Sequence, residues 1–407
     1  MGSMKHFSAI QSLCRIGLED GNPLFRRQVE RLRDRLRKDG SNKEAGSLDR
    51  LLNADEKEAS LTPSRVELSR SFLRGEKLSE STLPPTDRES SAPIADIFLA
   101  PHPEPMPPTL PTGIHSAVDA LIEEWRSGEA LSEMGLTPAY SCLIFGPPGT
   151  GKTLTGFYIA EQLGLPLVRA RIDSLVSSFL GTTARNLGNL FDFSNRYQCV
   201  LLLDEFDALA KLRDDPHEVG EIKRVVNTLL QNLDQRSGVG LTIAITNHPD
   251  LLDTAVWRRF DTRLELPLPA ADQRMALLNS FMGPVSLPDD FSKFMVWLSE
   301  GFSGSDLRSM IDNVKRHIAL NGNGTGEPDW FEALTAFAAR NSGGGRDQRT
   351  RTLLEGAHSI ASMLDESVDP SFTQREIGNV LSKDQATISR WTSGKKRGEM
   401  LETNKDA

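Results

Sequence analysis

The sequence predicts an α/β fold in which a parallel sheet is flanked by helices and followed by a small helical lid. Between residues 112 and 270, short apolar runs such as SCLIF, CVLLLD and LTIAIT alternate with segments of helical periodicity. Such runs are typical of parallel strands that are buried on both faces. From 271 to about 340 the periodicity is helical only, which predicts a small helical part after the sheet.

Residues 146–153, GPPGTGKT, follow the strand SCLIF directly and have the spacing of a P-loop. Glycines at such positions let backbone N–H groups turn toward phosphate oxygens, at the positive N-terminus of the next helix. We expect Lys152 to reach the β- and γ-phosphates of ATP and the Thr153 hydroxyl to bind Mg²⁺. The predicted nucleotide-contacting residues of this loop are Gly146, Pro147, Pro148, Gly149, Thr150, Gly151, Lys152, Thr153 and Leu154.

A second apolar strand, CVLLLDEFDALA at residues 199–210, delivers two carboxylates to the end of the sheet where ligands bind. We expect Asp204 to hold Mg²⁺, through water, and Glu205 to orient and deprotonate the attacking water. A third strand, LTIAIT, ends in Asn247, which either holds that water or caps the following turn.

Two arginines, Arg258 and Arg259, lie in the segment AVWRRFD, at the end of a predicted short helix before the last strand. By themselves they are compatible with a surface ion pair. In a P-loop protein they suggest arginine fingers, which stabilise charge on the transferred phosphoryl group. Their distance in sequence from the P-loop favours contact with a neighbouring subunit's site.

Composition sets the broad class. The chain has 407 residues, which is too long for a single hydrophobic core and predicts two to four domains. Its 38% hydrophobic and 25% charged residues are typical of a globular protein. No apolar run is long enough to span a bilayer, and the N-terminus lacks a signal-peptide pattern. We therefore expect a cytoplasmic protein without membrane contact. The net charge of −9 disfavours general nucleic-acid coating, although local patches remain possible. The separated Cys14, Cys142 and Cys199 indicate reduced thiols.

The predicted organisation has five segments. Prolines are dense between 79 and 111, which predicts a semi-extended linker without regular structure, although Ile97, Phe98 and Leu99 are apolar enough to dock on a neighbouring surface. The segments are an N-terminal helical domain at 5–78, the linker at 79–111, a large α/β subdomain at 112–270, a helical lid at 271–342, and a flexible joint with a helix-turn-helix-like unit at 343–407.

The order of the motifs GPPGTGKT, DEFD, ITN, WRRFD and GFSGSDL resembles the AAA family of ring ATPases, within the AAA+ class, over residues 112–340. The resemblance implies an AAA+ core that hydrolyses ATP, and a homo-oligomer, a hexamer or similar ring, with ATP between subunits. It also implies that Gly304 and Ser305 contact the nucleotide from the lid. Within the family, the layout resembles the spastin/katanin group, and stand-alone bacterial members more closely.

Such bacterial members are often paired with a subtilisin-like serine protease in plasmid-stability or phage-defence modules. The resemblance therefore implies a partner protease. The chain itself has no HExxH or GxSxG protease motif.

The stretch VSSFLGTTA at 176–184 puts an aromatic residue among hydroxyl residues. By the same resemblance, Phe179-Leu180-Gly181 is the motif that lines the central pore of protein-remodelling AAA rings and grips polypeptide. The alternative is that Phe179 is buried beneath its loop. An acidic residue often follows the glycine, whereas this chain has Thr182. A second pore loop is expected at RDDPHEVGEIKR, residues 213–224.

Residues 372–398 resemble a helix-turn-helix. Thr373 is expected to cap a first helix, and Ile388 and Trp391 to face inward from a second. Lys395, Lys396 and Arg397 would then meet DNA phosphates. The alternative is a small helical adaptor with a solvated basic end.

Three functions follow from these motifs. The main one is an ATP-driven ring that remodels, unfolds or delivers a protein substrate. The alternative is a DNA-acting ATPase, such as a replication or partition initiator, loader or regulator, that uses its helix-turn-helix. A third is a nucleotide-gated regulator in which hydrolysis only times assembly.

Overall fold

The computed structural model describes residues 23–38, 45–48, 75–101, 107–175, 180–210, 228–236, 238–252, 254–283, 287–321, 329–340 and 348–393. The chain divides into two compact units, Met1–Arg70 and Ser71–Ala407. In the first unit, helix α1 spans Pro23–Lys38 and buries Val29 and Leu36.

The second unit alternates strands and helices up to Glu265 and is helical beyond. Its strands are β1 Ala95–Phe98, β2 Ser141–Phe145, β3 Leu167–Ala170, β4 Val200–Leu203, β5 Thr242–Thr246 and β6 Thr262–Glu265. Its helices are α2 Thr112–Arg126, α3 Gly128–Glu133, α4 Lys152–Leu163, α5 Ile172–Leu175, α6 Leu180–Arg196, α7 Asp207–Ala210, α8 Thr254–Trp257, α9 Ala271–Met282, α10 Asp289–Leu298, α11 Gly304–Asn321, α12 Trp330–Arg340, α13 Gln348–Glu355, α14 Ala357–Glu366 and α15 Gln374–Leu381.

The six strands form one sheet in the order β1-β3-β4-β5-β2-β6. All neighbouring pairs are parallel except β1 with β3. Side chains alternate between the two faces of the sheet. On one face, Leu143 and Leu201 pack against α6, and on the other, Cys142 and Ile144 pack against α2 and α4. The predicted fold class, a P-loop parallel sheet covered by helices on both faces, is confirmed.

Strand β1 corrects the expectation that residues 79–111 have no regular structure. Ala95–Phe98 pairs antiparallel with β3, Ala95 opposite Ala170 and Phe98 opposite Leu167. The strand itself contains no proline, and Pro93 and Pro101 lie outside it on either side. Because β1 is at the edge of the sheet, prolines near it do not disrupt the pairing. Burial of Ile94 and Ala95 then fixes the strand to the sheet.

Helices α9 to α12 lie in the segment 271–342, which is called the lid below, and the described C-terminal helices pack on them. One apolar cluster runs from Leu278 in α9 to Ile388 near the end of the described chain. Lys293 of α10 contacts Glu376 of α15 at 2.6 Å. Thus the described part of 343–407 shares the core of the lid.

In the part of the chain that the structure describes, no helix is long and apolar enough to cross a membrane.

Candidate nucleotide site

The loop between β2 and α4 has a backbone that depends on glycine. Gly146, Gly149 and Gly151 have φ angles of 141°, 76° and 92°, which L side chains rarely adopt. At Gly146 a Cβ atom would also lie 2.2 Å from the carbonyl oxygen of Leu266, just past β6. The sequence therefore folds this loop tightly against the sheet, with the N-terminus of α4 behind it, as an anion site requires.

Lys152, at the first position of α4, lies inside this loop and is 5% exposed. Its Nζ donates to the carbonyl oxygens of Gly146 at 2.9 Å and Pro147 at 2.6 Å. Burial lowers the pKa of Lys152, and the charges of Asp204 and Asp207 oppose that shift. The loop thus presents a desolvated ammonium group, whose attraction for phosphate is stronger than in water.

Thr153 and Asp204 are brought together from different parts of the chain. The Thr153 hydroxyl donates to Asp204 Oδ2 at 2.8 Å, and the Glu205 backbone N–H donates to Asp204 Oδ1 at 2.9 Å. A hydroxyl and a carboxylate are oxygen donors of the kind that Mg²⁺ prefers. The donor set therefore fits the predicted metal.

Glu205 follows Asp204 with its side chain exposed and with φ of 52°. Left-handed backbone at a non-glycine residue is unfavourable and persists only where the surroundings fix it. Here the next residue, Phe206, is buried and its N–H donates to the Ile245 carbonyl of β5 at 2.8 Å. The predicted catalytic carboxylate is thus presented on a tethered turn.

Asn247 lies directly after β5 and is half-buried. No role was assigned from the sequence to Thr246 and Asp207, which lie near Asn247. The hydroxyl of Thr246 donates to Asp207 Oδ1 at 3.0 Å. The DEFD motif contains Asp207, but its partner lies on another strand, so sequence spacing did not reveal the pair.

The start of α11, with the predicted residues Gly304 and Ser305, lies against the phosphate-binding loop. The Ser305 N–H donates to the carbonyl oxygen of Gly149 at 3.2 Å. Ser303, just before α11, bonds Asp306 through its hydroxyl at 2.6 Å, and the Ser303 N–H donates to the same carboxylate at 3.0 Å. This capping arrangement fixes the start of α11 against the phosphate-binding loop.

The two candidate arginine fingers differ. Arg259 Nε lies 3.0 Å from both carboxylate oxygens of Asp234 in the same chain, and its Nη1 donates to the Ala255 carbonyl. Arg258 is exposed, and its side chain makes no hydrogen bond or ion pair with the described part of the chain.

The predicted pore residue Phe179 lies outside the described residues, as does the second predicted pore loop at 213–224. Leu180, the next residue of the motif, begins α6. The motif therefore leads directly into a helix that packs on the sheet.

At the C-terminus, Thr373 caps α15 as expected, in a reciprocal capping box with Glu376. The chain turns at Ser382, where φ is 53°, and residues 385–393 are helical again. Ile388 is buried and Trp391 is partly buried, whereas Arg390 is exposed. Residues 395–397 lie outside the described residues.

The chain is similar in sequence to known proteins. Residues 142–268 match the model of the ATPase family associated with various cellular activities (AAA). An uncharacterized AAA family ATPase, y4kL, of Sinorhizobium fredii is 39% identical over 227 residues, which cover 56% of this chain and 68% of the relative. The chain belongs to the AAA family of ATPases. As an AAA ATPase it binds and hydrolyses ATP.

Other relatives of this AAA ATPase are named for the proteasome. A probable 26S proteasome regulatory subunit 10B of Caenorhabditis elegans is 34% identical, over 45% of this chain and 47% of the relative. A proteasome-activating nucleotidase of Methanoculleus marisnigri is 34% identical, over 52% and 53%. The chain thus spans about half the length of these two relatives.

Among solved structures, the FIGL-1 AAA domain is similar at 22% identity. The TM-score is 0.48, over 62% of this chain and 93% of that chain. The same domain in complex with ADP gives a TM-score of 0.47, over 57% and 78%.

Proposed function

We propose that this AAA ATPase uses ATP hydrolysis to remodel, unfold or deliver a protein substrate. The observation that carries the proposal is Phe179-Leu180-Gly181, an aromatic–aliphatic–glycine motif at the entry to α6. An aromatic side chain that contacts polypeptide by packing alone accepts many sequences. The names of the proteasome-associated relatives support action on proteins.

In the proposed hydrolysis, Glu205 accepts a proton from water while the water oxygen attacks the γ-phosphorus of ATP. The bond from that phosphorus to the bridging oxygen breaks, and ADP leaves with the bond's electron pair. Lys152 and the loop N–H groups bind the phosphates, and Asn247 orients the water. Thr153 and Asp204 hold Mg²⁺, which when bound neutralises charge on the phosphates.

The proposal includes a ring of identical subunits, with a hexamer as the expected form. Arg258 is the better candidate for an arginine finger that acts in a neighbour's site. It is exposed and has no partner in the described part of its own chain, whereas Arg259 is bound to Asp234. Gly304 and Ser305 contact the nucleotide from the lid, next to Gly149.

The finer assignment follows from the motif resemblance. We propose a spastin/katanin-like, stand-alone bacterial type that is cytoplasmic and works with a subtilisin-like serine protease in a plasmid-stability or phage-defence module. The N-terminal helices at 5–78 recruit substrate or partner, and 112–270 and 271–342 form the ATPase core and lid.

DNA binding through residues 372–398 is the alternative function. Two helices joined by a tight turn, with Gln385 and Arg390 exposed on the second, favour it. In that function the ATPase acts on DNA, and Phe179 has no role.

The experiment that tests the proposal measures ATP hydrolysis with and without unfolded casein, and with and without duplex DNA. Casein is expected to stimulate the wild-type rate, and Glu205→Gln to bind ATP without turning it over. Lys152→Ala, which is expected to lose ATP binding, serves as the control. Stimulation by DNA and not by casein would support the DNA-acting alternative instead.

A further inference from the structure

We propose that Asp207 is a positioning residue that fixes Asn247 relative to the turn carrying Glu205, acting through the hydroxyl of Thr246. The inference rests on the proposed roles of Glu205 and Asn247 in hydrolysis. It assigns a task to a carboxylate of the DEFD motif that those roles do not use.

The hydroxyl of Thr246 makes hydrogen bonds to two groups, one as donor and one as acceptor. It donates to Asp207 Oδ1 at 3.0 Å and accepts from the backbone N–H of His248 at 3.0 Å. Thr246 is 0% exposed and Asp207 is 7% exposed. A buried hydroxyl held from both sides has one orientation, and a bond to a carboxylate is among the stronger hydrogen bonds.

Asn247 lies between the two residues that this hydroxyl connects. The bond from the His248 N–H to the Thr246 side chain closes a short turn around Asn247 as the chain leaves β5. Since Asp207 orients that hydroxyl, it also determines where the turn holds Asn247.

Asp207 lies two residues after Glu205, on the same tethered turn. The neighbouring Phe206 N–H donates to Ile245 at 2.8 Å, and the Phe206 ring is buried edge-on against Phe260, with centroids 6.0 Å apart. Two consecutive residues of the turn are therefore bonded to two consecutive residues of β5. These bonds hold the left-handed backbone at Glu205, where φ is 52°.

A different role for Asp207 is electrostatic. Its charge acts on Lys152 and opposes the effect of burial on the pKa of that ammonium group. If that were its main task, Asp207→Asn, which removes the charge, would raise KM for ATP, whereas Thr246→Val, which leaves the charge in place, would not change it. A positioning role predicts a loss in turnover with affinity retained.

The test compares Thr246→Val, which removes the hydroxyl at nearly constant shape, with Thr246→Ser, which keeps it. We expect Thr246→Val to lower kcat by about 100-fold with KM for ATP nearly unchanged, because small misplacements of catalytic groups have effects of that order. Thr246→Ser should recover most of the wild-type kcat.

Thr242→Val is a matched control on the same strand. Thr242 is 1% exposed and its hydroxyl has no hydrogen-bond partner in the described part of the chain. The same chemical change should therefore leave kcat and KM at wild-type values.

The outcomes separate the inference from the proposed function. Wild type and Glu205→Gln are assayed in parallel, and hydrolysis that survives Glu205→Gln would contradict the role of Glu205 itself. If Glu205→Gln is inactive while Thr246→Val keeps kcat within twofold of wild type, only the positioning role is wrong. A rise in KM for ATP in Asp207→Asn, with kcat of Thr246→Val at the wild-type value, would assign Asp207 to ATP binding. If neither Thr246→Val nor Thr246→Ala folds, the pair serves stability and the proposal is overturned.

Discussion

The backbone N–H of Ser305 in the lid donates a hydrogen bond of 3.2 Å to the carbonyl oxygen of Gly149 in the phosphate-binding loop. The two segments are so close that a Cβ atom on Gly149 would lie 2.0 Å from Ser305 Oγ and 2.5 Å from Ser303 Oγ. Lid and loop thus share a surface without room for a methyl group.

Gly149→Ala is therefore expected to displace the lid from the loop and to reduce ATP hydrolysis strongly. The new methyl group overlaps two side chains at the start of α11, in addition to the strain of a φ of 76°. ATP affinity and hydrolysis rate, measured on the purified variant, check this prediction.

Gly135→Ala provides the matched control for that variant. Gly135 has a φ of 73°, close to that of Gly149, but a Cβ atom there has no neighbour within 4 Å. Gly135→Ala should lower the free energy of unfolding by about 1 kcal/mol through backbone strain alone and should leave the rate of ATP hydrolysis unchanged. If Gly149→Ala, like Gly135→Ala, hydrolysed ATP at the wild-type rate, the contact between lid and loop would have no role in the reaction.

Ile94→Ala tests whether the segment before the ATPase core belongs to the fold. Ile94 is 0% exposed beside strand β1 and packs in the cluster that contains α6. Its truncation should lower the unfolding free energy by about 2–5 kcal/mol, as for other buried large-to-small changes. Urea unfolding measures this loss.

Leu83→Ala is the control in the same segment, because Leu83 is 82% exposed. It should leave the urea midpoint unchanged. If Ile94→Ala were equally silent, residues 79–111 would act as a loose linker in solution.

The sequence predicted the sheet and the phosphate-binding loop because both are encoded locally, in apolar strand-length runs and in the glycines of GPPGTGKT. It did not predict β1. Four residues are too few to show a periodicity, and the partner of Ala95 is Ala170, far along the chain. Local composition, dominated by proline, outweighed a long-range pairing that only the fold creates.

The contact between lid and C-terminal helices should be sensitive to acid. The side chain of Lys293 and then the backbone N–H of Thr373 hold the pKa of Glu376 at about 2, below its ordinary 4.5. The unfolded chain therefore takes up this proton before the folded one. The stability from Glu376 is fully present above pH 4.5 and is lost as the pH falls toward about 2.

Glu376→Gln should consequently be less stable than wild type at pH 6, and the difference should shrink as the pH is lowered from 4.5 to 3. Urea midpoints of both proteins across that range measure it. A difference that stays constant with pH would mean that the Glu376 charge does not bind Lys293 in solution.

Arg258 and Lys152 should complement each other across subunits. Arg258→Ala and Lys152→Ala are each expected to be inactive. When they are mixed, roughly a quarter of the interfaces in a closed head-to-tail ring combine an intact loop with an intact arginine. The mixture should therefore regain part of the wild-type hydrolysis rate.

Arg259→Ala is the comparison for the arginine. Because Arg259 binds Asp234 in its own chain, its loss should cost about 0–1 kcal/mol of stability, as for exposed ion pairs, and leave much of the hydrolysis. No recovery in the mixture of Arg258→Ala with Lys152→Ala would contradict a finger that acts between subunits.

For the site, residue types and spacing predict the roles of Lys152, Thr153, Asp204 and Glu205, and those roles stay predictions. The sequence could not distinguish Arg258 from Arg259, because the distinction depends on Asp234 in a different helical segment. It also left Asp207 without a role, since its partner Thr246 is brought to it by the neighbouring strand.

We propose above all that ATP hydrolysis moves polypeptide through contact with Phe179. The most direct test follows unfolding of a fluorescent protein that carries an unstructured tail, with Phe179→Ala beside Phe179→Tyr. We predict that Phe179→Ala hydrolyses ATP but no longer unfolds the substrate, whereas Phe179→Tyr, which keeps the ring, does both. Unfolding by Phe179→Ala at the wild-type rate would contradict the account.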